Sequence, residues 1–108
     1  MPRVIEGFSG SANLCRALFK KWPEQNMGRE GLRELIRMLE LSLSPDDLCY
    51  LCQRFGLGCA PMRTQEMCTY RNITVGAVYK RLNEILSRLK RYPNRIKHFR
   101  SLFGIEAE

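Results

Sequence analysis

The side chains best suited to chemistry in this sequence are its lysines and arginines, which are concentrated in the second half. Residues 63–100 contain ten basic and two acidic side chains, and the whole chain carries a formal charge of +7. Residues 1–54 are nearly balanced at +1, so residues 55–108 carry the remaining +6. Clustering of this kind is typical of a surface that binds nucleic acid or another polyanion. A solvated basic face is the alternative.

Residues suited to catalysis are few. The single histidine, His98, lies in a basic segment with no acidic residue at a useful spacing. Cys59, in "GLGCAPM", is the thiol most open to solvent, but the sequence supplies no base to activate it. Neither a glycine-rich phosphate loop nor a pair of carboxylates is found. We therefore expect no enzymatic activity and no cofactor.

The cysteines could in principle bind a metal. Cys49-x-x-Cys52 is followed by Cys59 and Cys68, which could be four thiolate ligands of zinc, although the spacing is irregular. Cys49 and Cys52 fall in an apolar helical stretch, where a free cysteine packs as a small hydrophobic side chain. Five cysteines, counting Cys15, are an odd number, and no export signal is visible. Reduced, mostly buried thiols and no metal site are therefore expected.

Length and composition indicate one folded domain. The chain has 108 residues, 44% of them hydrophobic, which suffices for one modest core. No apolar run approaches the roughly 18 residues of a bilayer span, and the N-terminus lacks a signal-peptide pattern. We expect a cytoplasmic protein that does not contact a membrane.

The first third of the chain predicts two helices. "SGSANLCRALFKKWP" predicts a short helix, about residues 13–22, that ends at Pro23. We expect it either to pack on the main core, with Phe19 and Trp22 contributing, or to form the face of a homodimer. "REGLRELIRMLELSL" places its apolar residues on one face and its charges on the other, which predicts a second helix.

The third helix has clear start and stop signals. In "SPDDLCYLCQRFGLG", Ser44 is a suitable N-cap and Pro45 suits the first helical position. Asp46 and Asp47 then stand in the first turn, where negative charge is favourable. Gly56 suits the end of the helix.

The segment that follows predicts a helix-turn-helix. A short helix from about Thr64 to Tyr70 precedes a break at Arg71-Asn72 and a longer helix from Thr74 to about Arg91. Its apolar stripe should face inward; it consists of Val78, Leu82, Ile85, Leu86 and Leu89. Pro93 ends this helix, and "RIKHFRSLFG" offers a last short helix. The predicted fold is all-α, a small bundle of about five helices containing a helix-turn-helix.

These segments together resemble a known family. "LSPDDLCYLCQRFGLG", "RTQEM" and "ITVGAVYKRLNEILSRLKRYPNRIKHFRSLFG" look like region four of sigma-70 family factors, over residues 30–104. Residues 1–29 would then be an N-terminal helical extension and residues 105–108 a tail. The resemblance implies binding to the promoter −35 element and to the β-flap of RNA polymerase. The chain lacks the other sigma regions.

The start of the second helix departs from the family. The family carries Arg, Glu and Gln there, whereas this chain has Val75, Gly76 and Ala77, which cannot make bidentate contacts to base edges. We predict a transcription regulator that docks this helix on double-stranded DNA, with lysines and arginines on phosphates and a few base contacts. The predicted DNA-binding residues are Arg63, Arg71, Thr74, Val75, Tyr79, Lys80, Asn83, Ser87, Arg88, Lys90 and Arg91, with Arg81 a further phosphate contact.

A protein-interaction module is the alternative hypothesis. Such a module would bind RNA polymerase or another transcription factor and would not read DNA. By the resemblance, Leu51, Phe55, Leu86 and Leu89 lie near the pocket that holds the β-flap tip. An ordinary hydrophobic core is the favoured explanation of the same four residues, because stripes at helical spacing usually are core.

Overall fold

A computed structural model describes residues 9–24 and 28–105, and six helices make up this part of the chain. The helices are α1 (Ser9–Phe19), α2 (Gly28–Ser42), α3 (Pro45–Phe55), α4 (Thr64–Arg71), α5 (Val75–Leu89) and α6 (Pro93–Phe103). The described residues contain no strand, which confirms the all-α class. None of these helices is long and apolar enough to cross a bilayer.

The number of helices corrects the expectation of about five. Each of the six segments with a helical pattern forms a helix of its own, including the eight-residue α4 and, after the proline, α6. Pro93 both ends α5 and occupies the first turn of α6, where its missing N–H costs nothing. Only residues 90–92 separate α5 from α6, so the connection is three residues long.

The predicted signals of α3 are found at its ends. The Asp47 backbone N–H donates to the Ser44 hydroxyl over 3.3 Å, Pro45 begins the helix, and Gly56 ends it with a φ of 77°. The end of α1 differs from the prediction. Lys20 adopts a left-handed φ of 61°, so α1 ends at Phe19, before Pro23 is reached.

The N-terminal helix belongs to the same core as the rest of the domain. Leu14, Cys15 and Leu18 of α1 are buried in one cluster with residues of α2, α3, α5 and α6. Phe19 makes an edge contact with Phe103, with 6.2 Å between ring centroids. Trp22 contributes little to the core, since it is 54% exposed. Of the two expectations for this helix, packing on the core is the one that its apolar face satisfies.

The connection between α4 and α5 is three residues long and tightly bonded. Asn72 has a left-handed φ of 58°, and the Ile73 backbone N–H donates to the Cys68 carbonyl over 3.1 Å. Thr74 caps α5 by accepting the Ala77 N–H over 3.1 Å. This order of helix, tight turn and helix is the one predicted for residues 64–91, although the helix-turn-helix as a motif stays a prediction.

Candidate nucleic-acid interface

One side of α5 packs inward and leaves the other side open to solvent. Val78, Leu82, Ile85 and Leu89 are buried in the core, as predicted. Leu86, predicted on the same stripe, is only partly buried at its edge. A continuous apolar stripe of this kind fixes the rotation of a helix about its axis. The rotation in turn decides which polar side chains of α5 point outward.

The opposite side of α5 is a polar surface that we call the α5 face. Its side chains form two adjacent rows, 80-84-88 and 83-87-91, with successive members four residues apart, and they line a shallow, open depression. They are Lys80, Asn83, Glu84, Ser87, Arg88 and Arg91. Five of the six are among the predicted DNA-binding residues. The sixth, Glu84, was not predicted, and it adds one negative charge to an otherwise basic surface.

The N-terminal end of α5 adds small and aromatic groups beside this face. Val75 is 40% exposed and Tyr79 is 51% exposed, and Ala77 also reaches solvent. The Tyr79 hydroxyl lies 3.4 Å from the Thr64 hydroxyl at the start of α4, which links the two helices. The side chain of Thr74 is occupied by its capping bond. This end of α5 is therefore ordered by hydrogen bonds and mostly neutral.

A buried carboxylate, Asp47 of α3, holds two arginines of α5. Arg81 contacts one Asp47 oxygen over 2.6 Å, and Arg88 contacts the other over 2.9 Å. The Asp47 side chain is 4% exposed, whereas those of Arg81 and Arg88 are 42% and 47% exposed. The hydrogen bond to Asp47 and its negative charge raise the pKa of the Arg81 guanidinium. Part of the basic charge of α5 is thus neutralised from within.

Arg71, a predicted DNA contact, is held inside the molecule. Its guanidinium donates to Asp46 over 3.2 Å and to Gln53 over 3.0 Å. The same group lies over the Tyr50 ring, 3.7 Å from the centroid. With 14% of its side chain exposed, Arg71 joins α4 to α3 and is not free to contact phosphate. We therefore remove it from the candidate interface.

The other predicted basic residues remain open. Arg63, Lys80, Lys90 and Arg91 are all exposed, and none of them forms an ion pair with another described residue. Together with Asn83 and Ser87, they are the part of the predicted set that is free to meet a ligand. Arg88 is half exposed, but its position is fixed by Asp47.

The four residues predicted by resemblance to bind a partner lie in or against the core. Leu51 and Leu89 are fully buried, with 0% and 1% of their surface exposed. Phe55 and Leu86 are partly buried and pack against the same cluster. These four side chains do not form an apolar surface in this structure, because two of them already fill the interior.

The thiols are free and show no metal-binding arrangement. Cys49 and Cys59 are exposed, while burial raises the pKa of Cys15 and of Cys52 to about 11. Among residues 9–24 and 28–105, no three histidine, cysteine or acidic side chains are placed to hold one ion. His98 has an acidic neighbour that its local sequence did not reveal, since its Nε2 lies 3.7 Å from Glu34 Oε2.

No family model matches the chain, and no curated protein or solved structure shows significant similarity to it. The likeness to sigma-70 region four therefore rests on the residues quoted above and stays a prediction.

Proposed function

We propose that this protein is a DNA-binding transcription regulator that lays the α5 face in the major groove of duplex DNA. The observation that carries the proposal is the pairing of a buried apolar stripe with an exposed basic side on the same helix. An α-helix fits the width of the major groove, and basic side chains on its flanks reach the phosphates. The proposed location is the cytoplasm.

Affinity in this proposal comes mainly from phosphate contacts. Lys80 is exposed on α5, Lys90 and Arg91 are exposed directly after its end, and Arg63 is exposed directly before α4. Each phosphate neutralised by such a side chain releases counterions, so binding weakens as salt is raised. Arg88 contributes a guanidinium that Asp47 holds in one place, which lowers the entropy lost on contact.

Sequence preference would come from the uncharged side chains. Asn83 suits the paired donor and acceptor of an adenine edge, and Val75 and Ala77 suit the methyl group of thymine. Glu84 suits the amino group of cytosine and disfavours a close phosphate. A preference built from these few groups would differ from that of the sigma factors, because the family's Arg, Glu and Gln are missing at residues 75–77.

The polymerase-binding alternative is less well supported. It depends on the resemblance alone, and two of its four residues are in the core. We therefore propose DNA as the first partner. Contact with RNA polymerase remains a hypothesis that requires some other surface.

The proposal is tested by measuring the affinity for a short labelled duplex over a salt series. Replacing Lys80 and Arg91 by glutamate should weaken binding by about tenfold or more and reduce the salt slope by about two, since about one counterion is released per phosphate contact. Both residues are exposed and form no ion pair with any other residue that the structure describes, so the fold should be unaffected.

The matched control is the double variant Arg33→Glu and Lys97→Glu. It changes the net charge by the same amount at exposed positions of α2 and α6. We expect it to retain most of the affinity at moderate salt, where distant charges are screened. If the control lost as much affinity as the α5 variant, binding would depend on net charge and the proposed face would be wrong.

A further inference from the structure

A second surface, separate from the α5 face, lies between α2 and α6. We call it the α2–α6 groove. Arg37, Met38 and Leu41 line it from α2, and Asn94, Arg95 and His98 line it from α6. None of these six residues is among the proposed DNA contacts or among the four residues that the resemblance assigns to partner binding.

The floor of this groove is apolar. Met38 is almost fully buried, whereas Leu41 next to it is 74% exposed, the most exposed large hydrophobic side chain among the described residues. One exposed leucine on a convex surface is ordinary. Here the leucine stands in a concave groove beside a methionine, a side chain that adapts readily to different partners. The groove thus offers an apolar anchor point.

The sides of the groove are basic. Arg37 is exposed on α2, and Arg95 lies across the groove with its guanidinium over the Tyr92 ring, 4.9 Å from the centroid. The acidic residue that lines the groove, Glu34, lies at one end against His98, with 3.7 Å between Nε2 and Oε2. An apolar floor between two arginines is complementary to an apolar ridge flanked by carboxylates.

The length of the groove indicates the form of its ligand. From Glu34 to Leu41 the α2 helix rises by about 10 Å, which is two turns. This length accommodates two apolar side chains spaced four residues apart on a helix, the usual anchors of a helix that binds in a groove. We propose that the α2–α6 groove docks an acidic amphipathic helix of a partner protein.

Charge disfavours a second copy of the chain as the occupant, and the apolar floor disfavours duplex DNA. In a symmetric dimer through this groove, Arg37 and Arg95 would approach the same residues of a second copy, and each copy carries a net charge of +7. The phosphates of duplex DNA could contact the two arginines, but DNA would leave Met38 and Leu41 without an apolar partner. An acidic helix satisfies both the arginines and the apolar floor.

The test uses a synthetic helical peptide with leucines at positions i and i+4 and glutamates on both sides of them. It is titrated into the full chain and followed by fluorescence anisotropy. A second peptide of the same composition carries its leucines on opposite sides of the helix. We expect the first peptide to bind about tenfold or more tightly than the second, because only one continuous ridge fills the groove.

Variants of the chain locate the binding site. Arg37→Glu with Arg95→Glu should lower the affinity for the first peptide by about tenfold or more, and Leu41→Ser should lower it several-fold. Arg33→Glu with Lys97→Glu, on the same two helices but outside the groove, should change the affinity by less than about threefold. Thermal melts of every variant verify that the fold is retained.

Four results would overturn the proposal. If the two peptides bound with equal affinity, or if the groove and control variants lost equal affinity for the first peptide, the interaction would be general charge attraction. Loss of DNA binding in the Arg37 and Arg95 variant, with peptide binding unchanged, would make the groove part of the nucleic-acid surface. Self-association that Leu41→Ser abolishes would make a second copy the occupant. Because the titration contains no DNA, its failure would leave the proposed function of α5 untouched.

Discussion

At the scale of single residues, Asp47 joins α3 to α5 through two ion pairs. Its backbone belongs to the first turn of α3, and its carboxylate binds Arg81 and Arg88 of α5. The sequence predicts an acidic residue at this helix start but does not predict its partners. Those partners lie 34 and 41 residues further along the chain, so the pairing depends on how α3 crosses α5.

Replacing Asp47 by asparagine should therefore destabilise the fold. The amide leaves Arg88 without its counter-charge and Arg81 with only the longer contact to Asp46, 3.8 Å, although both guanidinium groups are half exposed and can gain water. We expect a loss of about 2 kcal/mol in the free energy of unfolding, below the full cost of breaking a buried pair. Urea denaturation measures it.

Asp46→Asn is the matched control, since its side chain is 63% exposed. Its partner Arg71 is mostly buried, but it keeps its hydrogen bond to Gln53 and the asparagine oxygen can still accept from it, so we expect a smaller loss of about 1 kcal/mol. Equal losses for the two variants would contradict the structural role assigned to Asp47.

The same pairing limits which residues can test the DNA interface. Arg88→Glu would place a second carboxylate against the buried Asp47, and its effect on DNA binding would be mixed with its effect on stability. Lys80 and Arg91 are free of such pairs. A property of one residue, its internal partner, thus decides which variants are informative.

At the scale of elements, helices with strong capping residues were predicted best. The start of α3 follows Ser44 and Pro45, and the start of α5 follows Thr74, as the sequence indicates. The end of α1 was not predicted, because a lysine, Lys20, takes the left-handed conformation that glycine or asparagine usually supplies. The close packing of α1 on α3 was also not predicted.

Two helical glycines test this packing, because one lies against another helix and the other faces open space. An added Cβ at Gly10 of α1 would lie 2.1 Å from the Phe55 carbonyl oxygen at the end of α3, whereas one at Gly76 of α5 would meet nothing within 4 Å. We expect Gly10→Ala to lower the free energy of unfolding by about 2 kcal/mol or more, since the two helices must separate.

Gly76→Ala should raise the free energy of unfolding, the opposite of the effect expected for Gly10→Ala. Alanine restricts the unfolded chain and favours the helix, so we expect a gain of about 0.5 kcal/mol. Circular dichroism during urea denaturation measures both variants. A neutral Gly10→Ala would show that α1 does not pack closely against α3.

At the scale of the whole molecule, the chain combines one core with an uneven distribution of charge. The all-α class and the inward stripe of α5 follow from apolar periodicity, because burial of one face is a local property of the sequence. Apolar periodicity does not show which arginines are paired within the molecule and which are available to a ligand. Arg71, Arg81 and Arg88 are engaged by aspartates of α3, and only the assembled molecule reveals which basic residues are left for a ligand.

The most direct test of the central claim, that the α5 face meets DNA, is a nuclear magnetic resonance titration. Isotopically labelled protein is titrated with a short duplex in dilute buffer, and the perturbed resonances are mapped onto the structure. We expect the largest shifts at Tyr79, Lys80, Asn83, Ser87 and Arg91, with the α2–α6 groove unaffected. Shifts confined to α1 and α2, or no shifts at all at low salt, would contradict the account.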